Sequence, residues 1–392
     1  MGKSITGLVL SGGGARSAYQ IGVLKAIAEI QGQPDTSPFS IITGTSAGAI
    51  NACALASSNH QFATGVDKLL QIWSNFKPHH IYRTDLSCLV KNALRWGWNI
   101  IFPKEQTEKP LSLLDNTPLR TLLSNSIQLD KIQENINNKT LRAVCTTAYH
   151  YNSGDSISFF QGSHDIEPWK RFRRFGQPTH LTIGHLLASS AIPMVFPSET
   201  IEGSPYGDGA VRFLAPLSPA LHLGANKLFV ITVEPLRSEV NHSISTPSIG
   251  DIAGHMLDSI FIDSLESDIE RLLRINELVA HIPASDIVKA QLTVTPVDAF
   301  VISPSVDPSE LAGRYFNKLP ASLKFFFKRV GIDDENGENI LSYLLFDSSF
   351  TQHLIDLGYQ DAIAQSHNIK AFLDKQLLPE ILLDEDSLPV NP

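Results

Sequence analysis

The pattern of apolar and polar residues predicts two consecutive strand–turn–helix units near the N-terminus. In the first unit, an apolar run at residues 5–10 precedes a glycine-rich turn at residues 11–16 and then residues 18–30, whose apolar positions lie three and four apart. In the second, an apolar run at residues 39–43 precedes a turn and a small-residue helix at residues 49–56. Short apolar runs are typical of buried strands, and spacings of three and four are typical of helices. Strands that alternate with helices predict an α/β fold with a parallel sheet.

The rest of the chain continues the alternation less regularly. Residues 62–140 predict a mostly helical insertion, and residues from 310 onward predict helices and an acidic tail that frays. Between them we predict strands at residues 141–148, 156–160, 228–233 and 299–302, a helix at 183–190, a turn at 203–209 and a helix at 248–281. We therefore expect a catalytic domain at residues 1–305, which contains the insertion, and a helical C-terminal extension at residues 306–392 packed on it.

Composition and charge fit a globular protein. Hydrophobic residues make up 43% of the 392 residues, enough for a sizeable core. The formal net charge of -9 argues against a nucleic-acid partner, whose phosphates would be bound by Lys and Arg. The three cysteines, Cys53, Cys88 and Cys145, are too few and odd in number for a disulfide framework, and no two of them have the spacing of metal ligands. With no signal peptide and no apolar run long enough to cross a bilayer, we expect a cytoplasmic protein that can also lie peripherally on a membrane. Export without a cleaved signal and the oligomeric state stay open.

The main candidate for chemistry is Gly-Thr-Ser-Ala-Gly at residues 44–48. A nucleophilic serine has to project from a sharp turn between a strand and a helix, and its neighbours must lack bulk so that the two elements can pass closely. Gly44 and Gly48 meet that need around Ser46. The helix that follows points free N–H groups and its positive dipole end at the same place, which favours an oxyanion. These five residues alone would also fit a plain turn that packs a helix on a sheet.

A second glycine-rich segment, Ser-Gly-Gly-Gly-Ala-Arg at residues 11–16, also lies between a predicted strand and helix. Successive glycines let backbone N–H groups converge on an anion, which in an acyl hydrolase is the tetrahedral oxyanion. A dinucleotide site is the competing interpretation. It ranks lower because Ser17 stands where the third glycine of Gly-x-Gly-x-x-Gly is expected, and the acidic residue expected after the second strand is missing.

Asp208 is the third candidate. Gly207 and Gly209 flank it, and this setting predicts a tight turn that carries an exposed carboxylate. Taken alone, such a residue is more often an ordinary turn aspartate than a catalytic base. Its interest lies in its combination with the two segments above.

Together the three elements resemble the patatin-like phospholipase family. That family has a glycine-rich oxyanion loop, then a Gly-x-Ser-x-Gly turn, and much later an Asp-Gly-Gly or Asp-Gly-Ala motif. The same order occurs here at residues 12–16, 44–48 and 208–210, with 162 residues between Ser46 and Asp208. Segments on both sides of the aspartate, at residues 188–197 and 215–225, are also similar to the family. The resemblance covers roughly residues 4–235 and extends more loosely to 305. Ser17 departs from the family, where a glycine is usual.

The resemblance implies a three-layer sandwich, with helices on both faces of a mostly parallel central sheet, and a Ser–Asp dyad. Ser46 would attack the ester carbonyl of a phospholipid or another acyl-ester lipid, and Asp208 would accept its proton and later activate water. The N–H groups that would hold the oxyanion belong to Gly12, Gly13, Gly14, Ala15 and Ala47. Gly44, Gly48, Gly209 and Arg16 would support these motifs, with Arg16 orienting either the loop or a lipid phosphate. No metal or organic cofactor is implied.

Three alternatives remain. A Ser–His–Asp triad is one, since His185, His222 and His255 follow the serine in a suitable order, although none lies in a recognisable catalytic motif. A regulatory or lipid-binding module that has kept the fold and lost the chemistry is the second. A nucleotide-cofactor oxidoreductase is the third.

Two segments have the composition of a membrane interface. Residues 96–102, Trp-Gly-Trp-Asn-Ile-Ile-Phe, are rich in interfacial side chains. Residues 324–329, Lys-Phe-Phe-Phe-Lys-Arg, join three aromatic residues to flanking cations, a pattern that suits anionic headgroups. Core packing, with the charges reaching out to solvent, is the more ordinary explanation of both segments.

Overall fold

The computed structural model describes residues 4–101, 112–236, 263–283, 295–329, 332 and 337–374. Within these ranges the strands are Thr6–Leu10 (β1), Ile41–Thr45 (β2), Ala143–His150 (β3), Asp155–Gly162 (β4), Trp169–Arg171 (β5), Arg174–Pro178 (β6), Glu199–Ile201 (β7), Ser204–Asp208 (β8), Lys227–Ile231 (β9) and Asp298–Ile302 (β10).

The helices alternate with these strands and dominate the C-terminal part. They are Ala18–Ile30 (α1), Ala47–Ser57 (α2), Phe62–Ser74 (α3), Pro78–Ile81 (α4), Leu86–Ile101 (α5), Thr117–Ser126 (α6), Asp130–Asn137 (α7), Ile183–Ser189 (α8), Ser218–His222 (α9), Asp263–Ala280 (α10), Pro308–Ala312 (α11), Ala321–Arg329 (α12), Glu338–Leu344 (α13), Ser348–Ala364 (α14) and Ser366–Asp374 (α15). Short 3-10 helices occupy Gly14–Ser17, Asn59–Gln61, Gly209–Arg212 and Gly313–Lys318.

The strands form one mixed sheet in the order β10-β9-β1-β2-β3-β4-β6-β5. From β10 to β3 every neighbouring pair is parallel, so the carboxyl ends of these five strands meet at one edge. The chain steps from β1 towards β3 in one direction and later returns to add β9 on the other side of β1. Ligand sites of open α/β sheets lie at such a reversal, outside the carboxyl ends of the strands.

Alternate residues of the central strands face two separate hydrophobic cores. Leu8 of β1 and Phe229 of β9 belong to one core, and their neighbours Val9 and Leu228 belong to the other. Because successive side chains of a strand point to opposite faces, continuous apolar runs like these require helices on both sides of the sheet. The three-layer sandwich with a mostly parallel sheet is confirmed.

The C-terminal helices share the larger of the two cores. Helix α14 packs along α1, and two glycines let the helices approach closely. A Cβ atom at Gly22 would meet the carbonyl oxygen of Ile355, and one at Gly358 would meet the carbonyl oxygen of Tyr19. The described part of the extension therefore completes one layer of the sandwich.

Most predicted elements occur with shifted ends. The helix predicted at residues 18–30 is α1, and the region predicted as a helical insertion contains α3 to α7. The strands β5 to β8 were not predicted, and the turn predicted at residues 203–209 is wrong because β8 occupies most of it. These four strands are short, and β5 and β6 together carry three cations, so they lack an apolar run. The predicted helix at 248–281 is described only from Asp263, and the predicted tail lies outside the described residues.

Candidate active site

Strands β2 and β8 meet end to end against β3. Thr45, the last residue of β2, pairs with Thr147, and Asp208, the last residue of β8, pairs with the next residue of β3, Ala148. Because β8 runs antiparallel to β3 and β2 runs parallel to it, the two strands end at the same point from opposite directions. The chain leaves β2 through Ser46, which is why residues 162 apart in sequence become neighbours.

Ser46 occupies a strained turn between β2 and α2. Its φ of 54° and ψ of -130° are sparsely populated by residues other than glycine. A Cβ atom at Gly44 would run into the carbonyl oxygen of Gly48, and one at Gly48 would run into that of Ser11, so both positions need glycine. The N–H of Ser46 donates to Ser189 Oγ (3.0 Å), whose hydroxyl donates to the carbonyl of Thr147 (2.6 Å). The strained turn is therefore held by its neighbours.

The hydroxyl of Ser46 donates to Asp208 Oδ2 at 2.6 Å. The other carboxyl oxygen, Oδ1, accepts the N–H of Ala210 at 2.9 Å. Burial raises the pKa of Asp208 to about 7, although these two hydrogen bonds oppose the rise. A carboxyl group with a pKa near neutral is a much better proton acceptor than an ordinary aspartate.

The prediction of an exposed turn carboxylate is wrong, since Asp208 is fully buried at the end of β8. The flanking glycines serve close approach instead. A Cβ atom at Gly207 would meet the ring of Tyr151, and one at Gly209 would meet the carbonyl oxygen of Thr147. Without side chains at these two positions, β8 can seat the aspartate against β3.

The glycine-rich loop follows β1 and lies beside the start of α2. Gly14, with a φ of 54°, and Ala47 line the same cavity as Ser46, whereas Gly12 lines a second, smaller cavity with Gly44. Ala15 is fully buried in the 3-10 helix that follows. Within the described ranges the amides of Gly12, Gly13 and Ala47 donate to no protein acceptor. They are available to an anion at this end of the sheet.

Arg16 fastens the loop to the C-terminal part of the chain. Its guanidinium is buried, forms an ion pair with Glu234 and donates to Ser342 Oγ at 2.6 Å. It also lies 4.0 Å from the ring centroid of Tyr343, whose carbonyl oxygen packs directly against Gly14. The guanidinium is thus used inside the protein, which favours the loop-orienting role over contact with a lipid phosphate.

An apolar cavity opens at Ser46. It encloses about 690 Å³ of empty space, part of it open to solvent. It is lined by Gly14, Ser46 and Ala47 and mainly by apolar side chains, among them Ile50 of α2, Leu69 of α3, Leu123 of α6 and Phe196 after α8. An apolar lining beside Ser46 suits a hydrocarbon chain whose polar end lies at the serine.

The two described histidines of the possible triad have other partners. His185 accepts from the N–H of Thr182 through Nδ1 as a helix cap, and burial lowers its pKa to about 4. His222 stacks on Trp169 and hydrogen-bonds the carbonyl of Ser218. Among the described residues, Asp208 is the single side chain bonded to the hydroxyl of Ser46. His255 lies outside the described residues.

The two segments with interfacial composition lie on neighbouring helices. Residues 96–101 belong to α5, where Trp98 is 60% exposed, and Phe102 lies outside the described residues. Residues 324–329 belong to α12, where Phe325 is exposed and Phe327 is buried. The α12 segment therefore combines the two explanations, since one of its aromatic side chains packs into the core and another faces outward.

A family model identifies the family to which this chain belongs. The model of the patatin-like phospholipases matches residues 8–221, more than half of the chain. The chain belongs to the patatin-like phospholipase family. At the level of this family it is a lipid hydrolase. No curated protein sequence matches the chain.

Three solved structures match this chain at low sequence identity. VipD from Legionella pneumophila is 12% identical, with a TM-score of 0.34, and the match covers 90% of this chain and 67% of VipD. Human GIVD cytosolic phospholipase A2 in complex with methyl gamma-linolenyl fluorophosphonate is 12% identical, with a TM-score of 0.37, over 94% of this chain and 59% of that one. ExoU from Pseudomonas aeruginosa, in complex with SpcU, is 15% identical, with a TM-score of 0.25, over 92% and 77%.

Neither a membrane-spanning helix nor a metal-binding cluster occurs within the described ranges. There, no helix combines the length and apolar character that crossing a membrane would require. Nor does that part of the chain bring together three His, Cys, Asp or Glu side chains that could bind a metal ion.

Sequence reasoning missed the residues that hold the site together. Ser189 lies in a segment that resembles the family, but nothing local indicates its bond to Ser46. Glu234 comes directly after the predicted strand at residues 228–233. Ligand sites of α/β sheets lie at the carboxyl ends of strands, so this position could have marked Glu234 as a site residue. Tyr343 lies 327 residues from Arg16, and no local pattern indicates their contact.

Proposed function

We propose that the chain is a serine acyl hydrolase of lipid esters, of the phospholipase A or lysophospholipase type. It would act through a Ser46–Asp208 dyad and an acyl-enzyme intermediate. The observation that carries the proposal is the 2.6 Å hydrogen bond to a buried carboxyl group from Ser46, which itself lines an apolar cavity.

Acylation begins when Ser46 Oγ attacks the ester carbonyl carbon and its proton passes to Asp208 Oδ2. The tetrahedral intermediate then expels the alcohol, which takes the proton from Asp208. Water attacks the acyl-enzyme, gives a proton to Asp208 and releases the fatty acid, after which the proton returns to Ser46. A carboxyl pKa of about 7 suits both the acceptance and the return of this proton.

The oxyanion is held by backbone N–H groups of the glycine-rich loop and of Ala47. Gly14 and Ala47 line the same cavity as Ser46, and within the described ranges the amides of Gly12, Gly13 and Ala47 donate to no protein acceptor. Fixed donors of this kind stabilise charge that develops only in the transition state. The ion pair of Arg16 with Glu234 and the contact of Gly14 with Tyr343 hold the loop in place.

Labelling with a fluorophosphonate tests whether the chain is an enzyme or a silent module. Such probes phosphonylate activated serines, so peptide mass spectrometry should find the adduct on Ser46, and the untreated protein should release fatty acid from phospholipid vesicles. Ser190, which lines the same cavity, is an internal control and should stay unlabelled. A protein that is neither labelled nor able to release fatty acid would be the lipid-binding or regulatory module.

Gly14→Ala should lower kcat and leave KM nearly unchanged. The added Cβ would meet the carbonyl oxygen of Tyr343 and push the loop from its position, and one displaced oxyanion donor costs about a hundredfold in kcat or more. Gly32→Ala is the matched control, because Gly32 also has a positive φ, of 72°, but open space around it. Steady-state kinetics on a short-chain ester separate the constants. An equal loss in both variants, or a pure KM effect of Gly14→Ala, would contradict this role of the loop.

A further inference from the structure

The β5–β6 hairpin ends in an exposed basic tip, residues 170–174, with the sequence Lys-Arg-Phe-Arg-Arg. Phe172 lies at the turn and is 83% exposed, the largest exposed fraction among the bulky apolar side chains of the described residues. Two cations precede it and two follow it, and neither β5 nor β6 contains a carboxylate. In a chain with a net charge of -9, this concentration of positive charge around an exposed aromatic ring is unusual.

Part of this charge is not neutralised by the protein. Arg173 is paired with Asp155 at 3.2 Å and donates to the carbonyl of Ser153 at 2.7 Å, which fixes the turn. Lys170 and Arg171 form no ion pair with any described residue and are both exposed. Arg173 also has a φ of 57°, a conformation that favours glycine or asparagine in hairpin turns. The sequence thus keeps an arginine where a smaller residue would be less strained.

The basic tip lies at the edge of the sheet that carries the dyad. Arg174 pairs with Ser156 of β4, Ser156 pairs with Tyr149 of β3, and Tyr149 pairs with Gly207 of β8, next to Asp208. Three strand spacings of about 4.8 Å place Arg174 roughly 14 Å from Gly207 along this row. Since β6 runs away from this edge, the turn at Phe172 projects beyond it.

A second pair of side chains extends the same surface towards the dyad. Arg212 and Leu214 follow Asp208 by four and six residues, and both are exposed. The guanidinium of Arg212 lies beside Gly154, in the turn between β3 and β4 at this edge. Cationic and apolar groups therefore occur at both ends of the row between the hairpin and Asp208.

We propose that the basic tip, together with Arg212 and Leu214, docks the protein on an anionic phospholipid bilayer. Phe172 and Leu214 enter the headgroup–acyl boundary while Lys170 and Arg171 contact lipid phosphates, each cation near the surface strengthening binding about fivefold. This docking rests on the proposed function, because it presents the edge with Ser46 to the lipid. It goes beyond that function by naming the surface and the charge of the membrane.

Vesicle sedimentation of the full chain tests the docking. The Ser46→Ala protein is used as the background so that turnover does not alter the vesicles. Binding should be strong to an equal mixture of phosphatidylglycerol and phosphatidylcholine, weak to phosphatidylcholine alone, and reduced by salt. Phe172→Ser should weaken binding about tenfold, and Arg171→Gln about fivefold.

Two matched controls lie at the opposite edge of the sheet. Leu278→Ser removes an exposed leucine near the start of β10, and Lys139→Gln removes an exposed cation just before β3, so both should bind vesicles like the background. Equal weakening by controls and test variants, or unchanged binding by Phe172→Ser and Arg171→Gln, would overturn the proposal. A change of oligomeric state in Phe172→Ser without loss of vesicle binding would assign the tip to a protein interface instead. Hydrolysis of a water-soluble ester by the unaltered chain tests the catalytic proposal separately.

Discussion

Ser46→Ala should reduce ester hydrolysis by at least about 10⁴-fold, because loss of the nucleophile in a serine hydrolase leaves only the residual effect of binding and of the oxyanion donors. The substitution removes one oxygen atom and one hydrogen bond, the bond to Asp208. Two rates measure the effect: fatty-acid release from a phospholipid and nitrophenol release from a soluble acyl ester.

The variant should still fold. Asp208 loses one buried partner, which costs about 1–3 kcal/mol, but its pKa of about 7 allows it to become neutral at little expense. Ser57→Ala is the matched control, since Ser57 is also a buried serine, at the other end of α2, and its hydroxyl donates only to the carbonyl of Ala54. Ser57→Ala should keep its activity. A Ser46→Ala protein with normal melting and near-normal turnover would show that Ser46 is not the nucleophile.

Asp208→Asn should cost about 10³-fold to 10⁴-fold in kcat, because the amide keeps the shape of the carboxyl group but cannot accept the proton of Ser46. Members of one catalytic unit have non-additive effects, so the double variant with Ser46→Ala should be little worse than either single one. His185→Gln should keep most of the activity, since His185 caps α8 and does not contact Ser46. A histidine variant as impaired in acylation as Asp208→Asn would favour a triad.

The pH dependence follows from the same carboxyl group. Asp208 must be ionised to act as a base, so kcat/KM of the unaltered protein should fall about tenfold per pH unit below a pKa of about 7. Asp208→Asn should lose this dependence. Burial favours the neutral form in the folded state, so the stability that this carboxyl group contributes is fully present below its ordinary pKa of 3.8 and is lost as the pH rises from there through about 7. The unfolding free energy of Asp208→Asn minus that of the unaltered protein should therefore increase as the pH rises over this range.

The sequence by itself determined the class of fold and the family, and it predicted Ser46 as the candidate nucleophile. Apolar runs of strand length that alternate with helical spacing are local signals, and they correctly indicated α1, β1 and a parallel sheet. The glycines around Ser46 are also a local signal, because a strained turn needs small residues wherever it lies in a fold. The order of three motifs was enough for the family, which the match over residues 8–221 confirms.

Tertiary structure alone decided the environment of these residues. The burial that raises the pKa of Asp208 comes from β8 lying against β3. The polar, glycine-containing sequence of β8 does not predict this pairing. From the sequence, Arg16 could orient either the loop or a lipid phosphate. In the structure its guanidinium contacts Glu234 and Tyr343, each more than two hundred residues away in sequence. The cavity and the basic tip at the edge of the sheet likewise depend on which elements become neighbours. Periodicity encodes an element because its repeat is local, whereas a site depends on contacts between distant segments, which only the packing of the whole chain determines.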